Sequence, residues 1–109
     1  MSQNDIEKVK RRLLEVSRMS NMFANPVRAR MLDIILNKDG ATWSQIQEGL
    51  EQVFGRLNPN TISFHLSKLV LGRVIIKRGN LYTIPNDMKS NRLFVAATKR
   101  LSPAEVEAD

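Results

Sequence analysis

The chain has 109 residues and no cysteine, which excludes disulfides, thiolate metal ligands and thiol redox sensing. It has one histidine, His65, and one imidazole cannot build a transition-metal site, so no metal is expected. No apolar run approaches the ~18 residues that a membrane span requires. Asp5, Glu7, Lys8 and Lys10 leave no room for the apolar core of a signal peptide, so a cytoplasmic location is expected. There is also no glycine-rich nucleotide loop and no cysteine nucleophile. Acids stand near bases only at helix-surface spacings. The expectation is a protein that is not an enzyme and carries no cofactor.

Acidic residues are missing from one place in particular. Between Glu51 and Asp87 there is none, while Arg56, Lys68, Arg73, Lys77 and Arg78 fall there. The rest of the chain holds 12 of the 17 bases and all 11 acids, so the net charge of +6 sits almost wholly in one contiguous third. A one-sided basic surface is the footprint expected of a phosphate-binding face, although a solvated face would look the same by charge alone. A hydrophobic content of 42% with 26% charged residues suits a globular chain of this length with one modest core.

Helix signals recur along the chain. Asn4 or Asp5 can cap a first helix over 5–23, with Ile6, Val9, Leu13, Val16, Met19 or Met22, and Phe23 on one face. Asn25-Pro26 supplies a cap and a proline at the first helical position. The stripe Val27, Met31, Ile34, Ile35 and Leu36 follows, closed by Lys38-Asp39-Gly40. Ala41-Thr42-Trp43 fits a brief strand. Ser44 with Gln47 suggests a capping box for a third helix, burying Ile46, Leu50, Val53 and Phe54 and ending at Gly55. Asn58-Pro59 repeats the cap-plus-proline signal for a helix over about 59–71, with Ile62, Leu66, Leu69 and Val70 on its inner face and Gly72 at its end.

The rhythm then turns to strands. Val74-Ile75-Ile76 and Leu81-Tyr82-Thr83-Ile84 flank Lys77-Arg78-Gly79-Asn80, which predicts a hairpin with a basic tip. Asn86 can cap a last helix over about 87–101 that carries Met88, Leu93, Phe94, Ala97 and Leu101. Residues 102–109 form an acidic tail. The predicted fold class is therefore mainly α with a small β hairpin, in the order α-α-β-α-α-β-β-α. That is the layout of a winged helix-turn-helix in one domain over 1–101, with the fourth helix as the reader and 73–84 as the wing.

With Ile62, Leu66 and Leu69 turned inward, Asn60, Thr61, Ser63, Phe64, Ser67 and Lys68 occupy the other sides of the fourth helix. Short hydroxyl and amide side chains near a helix N-terminus suit phosphate and base edges, and Lys68 adds a phosphate contact. Lys77, Arg78 and Asn80 at the wing suit backbone or minor-groove contact.

Leu57-Asn58-Pro59-Asn60-Thr61-Ile62-Ser63-Phe64-His65-Leu66 resembles the recognition-helix signature of ArsR-type winged-helix repressors. Asn25-Pro26-Val27-Arg28-Ala29-Arg30-Met31-Leu32 resembles that family's second-helix opening, and Gly72-Arg73-Val74-Ile75 with Leu81-Tyr82-Thr83-Ile84 resembles its wing. The resemblance covers about 24–84. It implies Thr61, Ser63, Phe64 and His65 at or beside double-stranded DNA. It also implies a homodimer built from the first and last helices, whose apolar residues exceed what one small core needs. The expected function is a sequence-specific regulator, acting as a repressor on an inverted repeat. The alternatives are an architectural DNA binder and a winged helix used for protein contacts. Three departures from the family stand out. Phe64 occupies a usually polar or basic position, where it can press on a thymine methyl or turn inward. Gln52 to Arg56 resemble an insertion that lengthens the helix-turn-helix connection. Metal-sensing ligands are missing, and no effector is legible.

Overall fold

The computed structural model describes residues 2–99. Helix α1 (Gln3–Ala24) is followed by α2 (Pro26–Lys38), strand β1 (Ala41–Thr42), α3 (Trp43–Phe54) and α4 (Pro59–Leu71). Strands β2 (Ile76–Arg78) and β3 (Leu81–Thr83) come next, then α5 (Asn86–Lys89) and α6 (Arg92–Lys99). This is a winged helix-turn-helix. The hairpin does not stand alone: β1 pairs antiparallel with β3, giving a three-stranded sheet in the order β1-β3-β2.

The helices begin where side chains can satisfy their first N–H groups. Asn25 Oδ1 accepts from the amides of Val27 and Arg28 at 2.9 and 3.2 Å, and Asn58 Oδ1 accepts from that of Asn60 at 2.8 Å. Both precede a proline, whose missing N–H costs nothing at that position. Two expected caps were displaced. The first helix starts earlier, on Ser2, whose hydroxyl accepts from the Asp5 amide. The capping box of α3 is Thr42 with Gln45, not Ser44 with Gln47. Thr42 is held by its pairing with Leu81, so the strand ends and the helix begins on the same residue.

Helices α2 and α4 end alike. In α2 the Gly40 amide bonds the Ile35 carbonyl and the Asp39 amide that of Leu36. In α4 the Val74 amide bonds the Leu69 carbonyl and the Arg73 amide that of Val70. This paired pattern is the Schellman closure, which places its pivot residue in the left-handed region. The pivots are Asp39 (φ 52°) and Arg73 (φ 59°). Gly72 is an ordinary right-handed cap at φ −77°.

The closure after α4 also explains a misread strand. Val74 and Ile75 are fully buried beneath the turn and precede β2, which begins only at Ile76. Lys77 and Arg78 therefore lie in β2, and the turn itself is Gly79-Asn80. Gly79 has φ +61°, as the first position of a two-residue type II′ hairpin turn requires. The last helix is likewise two pieces. Asn91 Oδ1 accepts from the Leu93 and Phe94 amides and starts α6, while α5 has no side-chain cap. Leu101 and the tail 102–109 lie outside the described residues.

The core is built from Met31, Leu32 and Ile35 of α2, Ile46 and Leu50 of α3, Ile62, Leu66 and Leu69 of α4, Val74, Ile75 and Phe94. Three expected core residues are outside it: Val53, Phe54 and Val70 are exposed. Helix α3 approaches α2 through Gly49, where an added Cβ would stand 2.5 Å from Ile34 Cδ1 and 2.9 Å from Cγ1. At the other end α6 packs on α1 through an edge-to-face pair, Phe23 and Phe94, with centroids 5.7 Å apart.

Candidate nucleic-acid interface

Burial of Ile62, Leu66 and Leu69 decides what α4 shows to solvent. Asn60, Ser63, Phe64, Ser67 and Lys68 are exposed and Thr61 is half-buried. At 100° per residue these six span the side of the helix opposite its buried stripe. Among the described residues none of their side chains makes a hydrogen bond or an ion pair. Their polar atoms are available to a partner.

Phe64 does not turn inward: it is 55% exposed. Lys68 Nζ lies 5.0 Å from the centroid of its ring, one turn along the helix, so the aromatic face and the cation form one exposed unit.

His65 is set apart from the exposed residues of α4. It is only 9% exposed and sits between the buried stripe and the Thr61–Lys68 edge. Its Nδ1 is 3.1 Å from Nη1 of Arg28, itself 7% exposed. Burial, then the positive charges of Arg28 and Lys68, hold the imidazole below the ordinary histidine value, because each disfavours a second buried cation. Arg28 carries no signal in the sequence that would pair it with a residue 37 positions away.

On the wing, Lys77, Arg78 and Asn80 are all exposed. Lys77 Nζ stands 5.6 Å from the centroid of Tyr82, and Arg78 makes no ion pair among the described residues. No hydrogen bond or ion pair joins these side chains to those of α4. Because β1 pairs with β3, the start of α3 lies beside the wing, and Thr42, Trp43 and Ser44 line an open groove of about 340 Å³ with Lys77, Asn80 and Tyr82. Sequence reasoning missed this neighbourhood, since the β1–β3 pairing leaves no local trace.

The expected long connection of the helix-turn-helix is short. Gln52 to Phe54 belong to the last turn of α3, and only residues 55–58 join α3 to α4. Gly55 turns the chain at φ +74° with no atom within 4 Å of a Cβ built on it.

The geometry of α2, α3, α4 and the wing has a counterpart among known families. The model of the helix-turn-helix domain family matches residues 23–78, the span from the end of α1 through β2. The chain belongs to the helix-turn-helix domain family. DNA binding is the chemistry of that domain. No curated protein and no solved structure matches the chain. No described helix of this helix-turn-helix protein is long and apolar enough to cross a membrane. Among the described residues there is no group of three metal-ligating side chains.

Proposed function

We propose that the protein is a dimeric, sequence-reading transcriptional regulator of the ArsR type that represses from an inverted-repeat operator. The observation that carries this reading is the state of α4. Its solvent face presents an amide, hydroxyls, an aromatic ring and a cation, none of whose side chains makes a hydrogen bond or an ion pair among the described residues, beginning at the N-terminal end of a helix capped by Asn58. Asn60, Thr61 and Ser63 are the candidates for base-edge and phosphate hydrogen bonds, and Phe64 for apolar contact with a thymine methyl. Lys68, Lys77 and Arg78 are the phosphate contacts.

The dimer rests on α1. Val9, Leu13 and Val16, exposed at 45, 63 and 39%, form one stripe of α1 at spacings of four and three, while Leu14, 70% exposed, lies off that stripe. The stripe leads into a groove of about 400 Å³ between α1 and α6 lined by Val16, Ser20, Phe23, Leu93 and Ala97 among others. A contiguous apolar face of this kind is a hallmark of an interface, and a second copy would cover it symmetrically. Two recognition helices would then lie about one DNA turn apart.

Selection of bound duplexes from a random library tests the proposal. It predicts enrichment of an inverted repeat. Tight, salt-sensitive binding to every duplex without enrichment would instead make the protein an architectural binder, and no binding would send the search toward a protein partner.

A further inference from the structure

Arg28 is an uncommon residue to bury. It has no carboxylate partner among the described residues, and what surrounds it is backbone and imidazole. Its Nε donates to the Met22 carbonyl at 3.4 Å and its Nη2 to the Asn21 carbonyl at 3.1 Å. Both carbonyls belong to the last turn of α1, whose final C=O groups have no intrahelical partners and carry the negative end of the helix dipole. No other base stands in that last turn. Arg28 therefore closes α1, and its remaining arm reaches α4.

That arm fixes the state of the imidazole. A guanidinium offers donors only, so the 3.1 Å contact from Nη1 requires His65 Nδ1 to be the acceptor. The ring is then neutral, with its proton on Nε2. The charged groups acting on it are Arg28 from α2 and Lys68 from its own helix, both positive. Neither offsets a charge on the ring. Nε2 has no partner among the described residues, yet no buried side-chain nitrogen or oxygen among them lacks one. Nε2 must therefore reach solvent. His65 stands four residues after Thr61 and three before Lys68, so its outer edge opens on the same side of α4 as those two.

We propose that Arg28 is a positioning residue for DNA binding: it locks His65 in the tautomer whose Nε2–H faces outward, and that N–H donates to a DNA backbone phosphate. The proposal rests on the reading of α4 as the DNA-facing helix. It adds a neutral donor, set from behind, to a face otherwise made of flexible side chains. It also ties the end of α1 to the recognition helix, beside the bond from Arg18 of α1 to the carbonyl of Gly72 at the end of α4.

His65 is the sole histidine, so nitrogen-15 spectra of its imidazole in the full chain are free of overlap. At neutral pH without DNA, the proposal predicts a protonated Nε2 and a bare Nδ1. In Arg28→Met the two tautomers should mix and the ring should titrate at higher pH, while Arg28→Lys should restore part of the preference. A wild-type ring protonated on Nδ1, or averaging between tautomers, overturns the proposal, and this measurement needs no variant to fold. For the DNA arm, His65→Asn keeps an acceptor near the Nδ1 position and removes the outer donor. Duplex affinity should fall about tenfold per protomer, and so about a hundredfold for a symmetric dimer, the worth of one hydrogen bond to a charged acceptor on each half-site, with an unchanged salt slope because a neutral donor displaces no counterion. Full affinity in His65→Asn overturns the phosphate role alone. Failure of the wild-type chain to bind any duplex overturns the reading of α4 together with it.

Discussion

Removing one wing cation should change how binding responds to salt by an amount that also counts protomers. Arg78 projects from β2, is exposed, and pairs with no acid among the described residues. Arg78→Ala should therefore shift folding stability by no more than about 0.5 kcal/mol. If its guanidinium meets one phosphate, its loss lowers the slope of log affinity against log salt by about 0.9. In a symmetric dimer two such contacts vanish, and the slope falls by about 1.8. Over a fourfold rise in salt, from about 50 to about 200 mM, the wild-type advantage should then shrink about 12-fold, against about 3.5-fold for a monomer. Fluorescence anisotropy titrations of a labelled duplex at four or five salt concentrations resolve that difference. An unchanged slope would take the wing off the DNA. A change near 0.9 would refute the dimeric assembly and leave the wing contact standing.

Other outcomes follow from the same geometry. Phe64→Ala should alter sequence preference at one position of each half-site by about 1–3 kcal/mol while leaving the salt slope unchanged; identical selection profiles would remove Phe64 from the reading set. Leu13→Lys, at a site 63% exposed, should leave the protomer folded and yield monomers in sedimentation; a persistent dimer would place the interface elsewhere. Gly49→Ala should destabilise by about 1–2 kcal/mol, because crowding Ile34 at 2.5 Å outweighs the ~1 kcal/mol helix-propensity gain. Ile34→Val removes the nearest atom and should recover part of that loss in a double-mutant cycle, whereas a more stable Gly49→Ala would contradict the close α2–α3 approach. The folded His65 titrates below its ordinary value, so the unfolded chain binds the proton first on acidification. Stability should thus be full above about pH 6.5 and decline as pH falls from there toward the folded value. The urea midpoint of wild type should show this fall and His65→Asn should lack it; equal pH profiles would refute it.

Features set by a few neighbouring residues were legible in the sequence. Asn25-Pro26 and Asn58-Pro59 start helices because cap, proline and first turn are adjacent, and the inward row Ile62, Leu66, Leu69 follows from helical spacing alone. Features set by distant pairing were not. Two capping boxes overlap at 42–47, and the choice between them is made by the bond of β1 to β3 some 40 residues on. Val74 and Ile75 have strand propensity, but the closure of α4 draws them beneath the turn first. Val53 and Phe54 continue the period of α3 yet remain exposed at its last turn. At the candidate site, the exposed residues of α4 and the wing were readable as types and spacings. The Arg28–His65 contact was invisible, since burial of a cation against an imidazole has no compositional signature.

The central claim is that the outer face of α4 lies in the major groove, twice per site. The natural chain has no cysteine, so Ser63→Cys provides a single attachment point for a chelated iron that cleaves nearby DNA. On a selected duplex the account predicts two cleavage centres, symmetric about the middle of the repeat and about one helical turn apart, with the same reagent on Asn80→Cys cutting outside them. A single centre, or cleavage spread evenly along the duplex from position 63, would contradict it.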